Sequence, residues 1–284
     1  MNPRRCIVLA AACAAGLPSA SALTITELGS PQVETFDSLA IAGSADILPS
    51  GWFFSESGTA ANTTYAAGTG SGSTGNTYSF GAAGSADRAL GSLRSGSLVP
   101  LFGVQLVNAT GSVIDSLALA YTGEQWRLGT ASRVDRLDVQ YSLNASSLIS
   151  GLWMDLDALD FVSPVTAGTT GALDGNNAAN QVALAASLTG LGLDNGASLW
   201  LRWVDLDAAG ADDGLAIDDF RVTARGLATP PVQAVPESLP AAGCLGVALL
   251  GLAMARCGLS TRGRATQPAP RIQPGAKASA SSLR

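Results

Sequence analysis

Leu199-Trp200-Leu201-Arg202-Trp203-Val204-Asp205-Leu206-Asp207 and Leu215-Ala216-Ile217-Asp218-Asp219-Phe220-Arg221-Val222 are two apolar runs joined by an acidic loop with one glycine, Gly210. In the first run Leu199, Leu201 and Trp203 fall on one side and Trp200, Arg202 and Val204 on the other, because side chains of a strand alternate with period two. Both sides are mostly apolar, which predicts a central strand covered on each face, with the acidic loop as a hairpin to the next. Arg202, set between two tryptophans, then needs a partner, since an unpaired buried cation costs several kcal/mol. Glu124, itself beside a tryptophan, is the expected one.

The same reading along the chain gives strands over 34–42, 52–54, 76–82, 98–108, 113–121, 134–141, 159–165 and 181–188. Leu137, Val139 and Tyr141 alternate with Arg136, Asp138 and Gln140, a strand with one wet face. Residues 60–75 (AANTTYAAGTGSGSTG) read as a low-complexity loop at a rim. Many short strands, glycine- and serine-rich turns and no helical periodicity in the middle predict an all-β fold, an antiparallel sandwich of jelly-roll type.

The two ends differ in kind. Arg4-Arg5, the apolar run 6–17 and Ala20-Ser21-Ala22 have the form of a secretory signal peptide cleaved after Ala22 by signal peptidase. Acylation at Cys13 is the alternative, weakened by Ala10 where leucine is preferred. After Val222 the chain passes through Pro230-Pro231 to an apolar segment, 239–255, followed by Arg256, Arg262 and Arg264. Seventeen apolar residues reach the lower limit for crossing a bilayer, and the arginines beyond would hold that end in the cytoplasm. The expected organisation is a signal peptide 1–22, an extracellular sandwich 23–226, a linker 227–238, a membrane segment 239–255 and a basic tail 256–284.

Between Leu23 and Val235 there are eight arginines, no lysine and 21 acids, a net charge of −13. Nucleic acid and anionic membrane surfaces are poor partners for such a domain. Cys6, Cys13, Cys244 and Cys257 all lie in the terminal segments and the chain has no histidine. Histidine-based triads, cysteine nucleophiles and zinc held by nitrogen or sulfur are therefore excluded from the domain. Carboxylates, tyrosine, serine, arginine and oxygen-liganded metals remain.

Val235-Pro236-Glu237-Ser238, the apolar segment and the arginines together resemble the PEP-CTERM sorting signal of Gram-negative bacteria, with serine where that motif usually has a second proline. The resemblance implies processing by an exosortase, Val235, Pro236 and Glu237 as the sorting motif, and association with exopolysaccharide or biofilm. Phe36-Asp37-Ser38-Leu39, Tyr121 to Arg127, Leu173-Asp174-Gly175-Asn176 and Leu215 to Phe220 look like the secreted sandwich domains often found ahead of such signals.

Two groups could carry chemistry. Tyr121, Glu124, Trp126 and Arg127 form the densest polar-aromatic cluster, suited to stacking on a sugar ring and bonding its hydroxyls, or to supplying one acid of a glycosidase pair. Against this stands a structural ion pair with the tryptophan in the core. Asp205, Asp207, Asp212 and Asp213, around Gly210, have the carboxylate spacing of a calcium site outside the EF-hand class, or of a solvated acidic turn. The leading expectation is a non-catalytic surface or matrix protein; a carbohydrate-binding module or a carboxylate-based carbohydrate-active enzyme is the alternative. Exposed aromatics in a row would mark the module, and two acids in a groove the enzyme.

Overall fold

The computed structural model describes residues 21–227. The signal peptide, the sorting motif Val235, Pro236 and Glu237, the membrane segment and the basic tail lie outside the described residues. No helix among the described residues is long and apolar enough to cross a membrane.

Sixteen strands are present: β1 (Leu23–Ile25), β2 (Pro31–Glu34), β3 (Ser44–Ala45), β4 (Trp52–Ser57), β5 (Tyr65–Gly68), β6 (Asn76–Phe80), β7 (Ala89–Leu93), β8 (Val99–Asn108), β9 (Ser116–Leu128), β10 (Arg136–Ser142), β11 (Met154–Asp155), β12 (Phe161–Val162), β13 (Gly171–Ala172), β14 (Gln181–Leu188), β15 (Ser198–Asp205) and β16 (Gly214–Arg225). They make two sheets, an all-β sandwich. The first runs β1-β8-β15-β10-β11, with β4 also on β8 and β12 also on β10; the second runs β13-β9-β16-β7-β6-β5-β3, with β14 on β9 and β2 on β16. The long strands β8, β9, β10, β14, β15 and β16 alternate between the sheets in chain order.

β15 is central, between β8 and β10, as its two apolar faces require. Leu199, Leu201 and Trp203 point into the interior and are fully buried. The expected hairpin, however, is not formed. β15 belongs to the first sheet and β16 to the second, so the acidic segment 206–213 is an arch from one sheet to the other. The reason lies in the sequence: each run is apolar on both faces and finds neighbours on both of its own edges, leaving no edge for the other.

The interior between the sheets is aromatic at its centre. Trp203 stacks on Phe102 (centroids 5.7 Å apart, planes 3° apart) and meets Tyr121 and Phe220 edge-on at 5.6 and 6.0 Å. Two smaller cores lie on the outer faces. Trp126, Tyr78, Phe80, Ala89, Leu93 and Ala216 form one on the second sheet. Trp200, Ala145 and Leu148, with Trp153 and Phe53 against them, form the other on the first. The outer cores explain why β15 and β9 carry bulky apolar residues on both faces.

Three local expectations need correction. Of residues 34–42 only Glu34 is in a strand; the chain leaves β2 at once, because Phe36 adopts φ 55° and turns inward against Trp52. The span 159–165 yields only the two-residue β12 after a 3-10 turn at Asp157–Leu159. The low-complexity segment 60–75 contains β5, whose Tyr65 is buried and bonds Ile47 and Ala40 through its hydroxyl. Small residues hide a strand when its neighbours leave room for nothing larger: a Cβ on Gly68 would stand 2.9 Å from the Tyr78 ring.

Candidate functional site

Arg202 lies on the outer face of β15 and is not paired with Glu124, which sits on β9 of the other sheet. Its guanidinium donates to Gln140 Oε1 twice (2.9 and 2.6 Å) and to the Leu148 carbonyl (2.7 Å), and lies 4.0 Å over the Trp153 ring. Gln140 donates in turn to Asp155 Oδ1 at 2.7 Å, so the carboxylate is reached through an amide. Partial exposure is what lets neutral partners suffice.

The polar-aromatic cluster is divided by the sheet. Tyr121 faces the interior, is 3% exposed and donates its hydroxyl to the Leu159 carbonyl, so it is withdrawn from any surface site. Glu124 and Trp126 face outward. Trp126 is buried in the outer core and donates Nε1 to Glu124 Oε2 at 2.9 Å. Gly175 rests on its indole, where a Cβ would fall 2.3 Å from the ring, which is why the turn after Asp174 needs a glycine. Arg127 reaches the carbonyls of Gly70 and Ser71 at 3.1 and 3.3 Å.

Glu124 stands in a polar pocket of about 300 Å³ on the outer face of the second sheet. Asp218 and Asp219 of β16, Thr122 of β9, Gln181 at the start of β14, Thr35 and Asp37 from the turn after β2, Asp87 and Asn176 complete its wall. The bulge in β16 makes this possible. Asp218 opposes Thr122 but Arg221 opposes Ala120, so β16 takes one residue more than β9, and Asp219 adopts φ 50°. Between the core residues Ile217 and Phe220, two carboxylates are thus left outside the core instead of one.

The pocket has donors as well as acids. Gln181 Nε2 donates to Glu124 Oε1 (2.9 Å), Asn176 Nδ2 to Asp87 Oδ2 (2.7 Å) and Thr35 Oγ1 to Asp37 Oδ2 (3.1 Å). Burial pushes the Glu124 carboxyl up to about 7; the bonds from Trp126 and Gln181 oppose this, and Asp87 and Asp219 add to it. Burial likewise pushes Asp218 up to about 8, reinforced by Glu124, Asp219 and Asp87. No arginine side chain lies on the wall.

The aspartates of the arch meet a different fate. Asp213 is buried and accepts from Gly129 N–H (2.7 Å) and Gln125 Nε2 (2.9 Å), with Arg133 3.5 Å away. Asp212 accepts from Ala208 N–H at 3.0 Å. Asp205 is fully buried, accepts from Ser92 Oγ at 2.7 Å, and keeps Oδ1 without a partner. Asp207 points outward, 3.7 Å from Arg94. Asp135, which the sequence did not single out, holds the group together: it accepts from Asp213 N–H at 2.8 Å and pairs with Arg133 at 3.1 Å. Burial pushes Asp212 and Asp213 up to about 6, and Asp205 well above the usual range, with repulsion from Asp135 adding to each. The solvated turn expected as the alternative is therefore not what forms: three of the four carboxylates are interior.

Among the described residues no three carboxylates converge as ligands of one metal. Asp218 and Asp219 in the pocket accept only the Asp219 N–H on Asp218, whereas Asp213 in the arch is engaged at both oxygens and the open Oδ1 of Asp205 lies fully buried. Asp37, Asp87, Asp218 and Asp219 were absent from the expected site. The signal for the last two was present in Ile217-Asp218-Asp219-Phe220, where two acids between two apolar residues break the alternation of a strand.

Comparison with known proteins adds little. No family model matches the chain, and no curated protein does. Among solved structures the chain is similar to the K3 cleaved adhesin domain of Lys-gingipain from Porphyromonas gingivalis (13% identity over 62% of this chain and 93% of that one, TM-score 0.36). It is similar also to the K2 adhesin domain of Lys-gingipain (15%, 68% and 98%, TM-score 0.35) and to a family 35 carbohydrate-binding module from Clostridium thermocellum (15%, 68% and 97%, TM-score 0.28). The assignment to the sandwich class rests on the two sheets themselves.

Proposed function

We propose that the chain is an exported, non-catalytic surface or matrix protein, sorted by its PEP-CTERM-like tail, whose sandwich binds extracellular polysaccharide in the pocket at Glu124 and Asp218. The observation that supports polysaccharide binding is the pocket's make-up: carboxylates, two amides and two hydroxyls on a frame of central strands, with no basic side chain on the wall. Such a wall offers both acceptors and donors to sugar hydroxyls. It is not an aromatic platform. Trp52, Trp126, Trp200 and Trp203 are buried and Trp153 is covered by Arg202.

The raised carboxyls of Glu124 and Asp218 favour a second reading, an acid pair acting on a glycosidic bond. Glu124 speaks against it, because both its oxygens accept N–H bonds, and a proton placed there for donation would break one of them. Calcium enters the proposal at the pocket. Asp218 and Asp219 supply two oxygens, and the remainder of a six- to eight-oxygen shell would come from water or sugar hydroxyls.

The test is fluorescence of Trp126, which is bonded to Glu124, during titration of the full chain with the host's own polysaccharide. Saturable change, lost in Asp219→Ala and Glu124→Gln but kept in Asp207→Ala, is expected. An unchanged spectrum with polysaccharide retained by neither parent nor variant on a polysaccharide resin would overturn the binding. Intact mass of the mature protein, cut near Val235 or not, tests the sorting.

A further inference from the structure

A cavity of about 560 Å³ opens at the arch end of the sandwich, where the segment before β6, the β7–β8 turn and the arch meet. It shares no residue with the pocket at Glu124. Two guanidiniums stand on it. Arg94 gives Nη1 to the Asp205 carbonyl at 3.1 Å, and its Nη2 is 3.7 Å from Asp207, whose side chain is 68% exposed. Arg127 spends Nη1 on two carbonyls and has no carboxylate within ion-pair distance among the described residues. The Nε groups of both are buried without an acceptor. An N–H of a cation left without an acceptor is costly, and a domain with 21 acids has no shortage of counter-ions. Two arginines at one cavity with such loose pairing are what a site for an incoming anion looks like.

We propose that this cavity binds an acidic sugar, a hexuronate unit, through its carboxylate. The guanidinium fork matches a carboxylate in geometry and charge. The volume is far more than a bare anion needs and lies in the range of small-molecule sites. Ser73, Ser95 and the backbone of the arch at Ala208 and Ala211 also line it and can meet ring hydroxyls; Asp212 lines it too, with one carboxylate oxygen held by Ala208 N–H. Asp207 is the stand-in: a loosely held carboxylate on the arch that the ligand's carboxylate replaces. The inference is independent of the pocket at Glu124, which differs in residues and in charge.

The experiment is calorimetric titration of the full chain with sodium glucuronate, with glucose and with acetate. Glucuronate should bind at one site and more weakly as salt is raised. Arg127→Gln and Arg94→Gln should each weaken it about tenfold or more, the worth of one charge-assisted hydrogen bond. Asp207→Asn should tighten it several-fold, and Glu124→Gln should leave it unchanged. Glucose binding as tightly as glucuronate would overturn the anion assignment, and acetate doing so would overturn the sugar. Asp207 is exposed and its substitution leaves the fold alone, so an affinity that does not rise in Asp207→Asn overturns the proposal even if an arginine variant fails to fold.

Discussion

The arch and the outer-face pocket are each built from carboxylates with no histidine or lysine at hand, and they end in opposite states. In the arch, Asp213 is closed off by Gly129 N–H, Gln125 and Arg133, Asp212 accepts from Ala208 N–H, and Asp205 is fully buried with Ser92 on one oxygen. In the pocket, Asp218 has only the N–H of its neighbour Asp219, and Asp219 is exposed. The arch must bridge two sheets, and a segment that does so with its backbone polar groups inside needs acceptors of its own. The pocket lies on a sheet whose backbone is already satisfied by β9, β7 and β2. Asp218 and Asp219 are therefore free for something outside the chain, while Glu124, Asp37 and Asp87 already accept from Trp126, Gln181, Thr35 and Asn176.

The largest expected difference between the regions is in stability. Asp213→Ala removes an acceptor and leaves Arg133 and two N–H donors buried without it, which should cost about 3–5 kcal/mol in chemical denaturation. Asp219→Ala, at an exposed position, should fall within about 0.5 kcal/mol of the parent. It also removes a side chain from a φ of 50°, where alanine is no better placed than aspartate. Comparable losses for both variants would mean that the pocket too is a structural network.

Acidity separates the two next. A carboxyl raised in the folded state is protonated there while its unfolded counterpart is not, so the fold binds more protons and stability falls as pH rises through the window between the two values. For Asp212 and Asp213 that window closes near 6; for Glu124 and Asp218 it extends to about 7 and about 8. Melting temperature should decline from pH 4 to 8, with at most about 3 kcal/mol from Glu124 and about 5 kcal/mol from Asp218. Between pH 6.5 and 8, Asp218→Asn should flatten the decline and Asp213→Asn should not. The opposite pattern would reverse the assignment of which cluster remains charged.

The long strands were legible because period-two alternation survives wherever both faces of a strand are covered: β14 begins and ends at the expected residues, and β15 is central. What was not legible was partnership. Nothing in the sequence says whether β15 and β16 share a sheet, since an eight-residue acidic segment can close a hairpin or cross between layers. The site suffered from the same gap. Glu124 was visible beside Trp126, but Asp37 and Asp87 come from turns 87 and 37 residues away in the chain. Tyr121 and Glu124, three residues apart, lie on opposite faces of β9, as alternation should have warned.

Arg202 measures how far neighbours in sequence mislead. Had it been paired with Glu124, its truncation would leave a buried carboxylate alone. With Gln140, the Leu148 carbonyl and the Trp153 face as its partners, Arg202→Ala should cost about 2 kcal/mol in thermal or chemical unfolding. The double variant with Glu124→Gln should be additive within about 0.5 kcal/mol, because the two lie in different sheets. A coupling energy above about 1 kcal/mol would show that they do communicate.

Calcium should give the smallest effect and the most direct contrast between the two clusters. A cation needs carboxylate oxygens that no protein donor has claimed, and the arch has few: Asp213 is engaged at both oxygens, and Asp205 lies fully inside. Asp218 and Asp219 are placed side by side by the bulge, with water able to complete the shell. At a pH above 8, where Asp218 is ionised, neutralising their mutual repulsion would favour the fold, and with extracellular calcium near a millimolar and a dissociation constant roughly tenfold lower the gain would be about 1.4 kcal/mol. Melting curves in millimolar calcium and in chelator should differ by a few degrees for the parent and for Asp207→Ala, and should coincide for Asp219→Ala. Loss of the difference in Asp207→Ala, with Asp219→Ala behaving as the parent, would return the ion to the arch and make its outward carboxylate the one that matters.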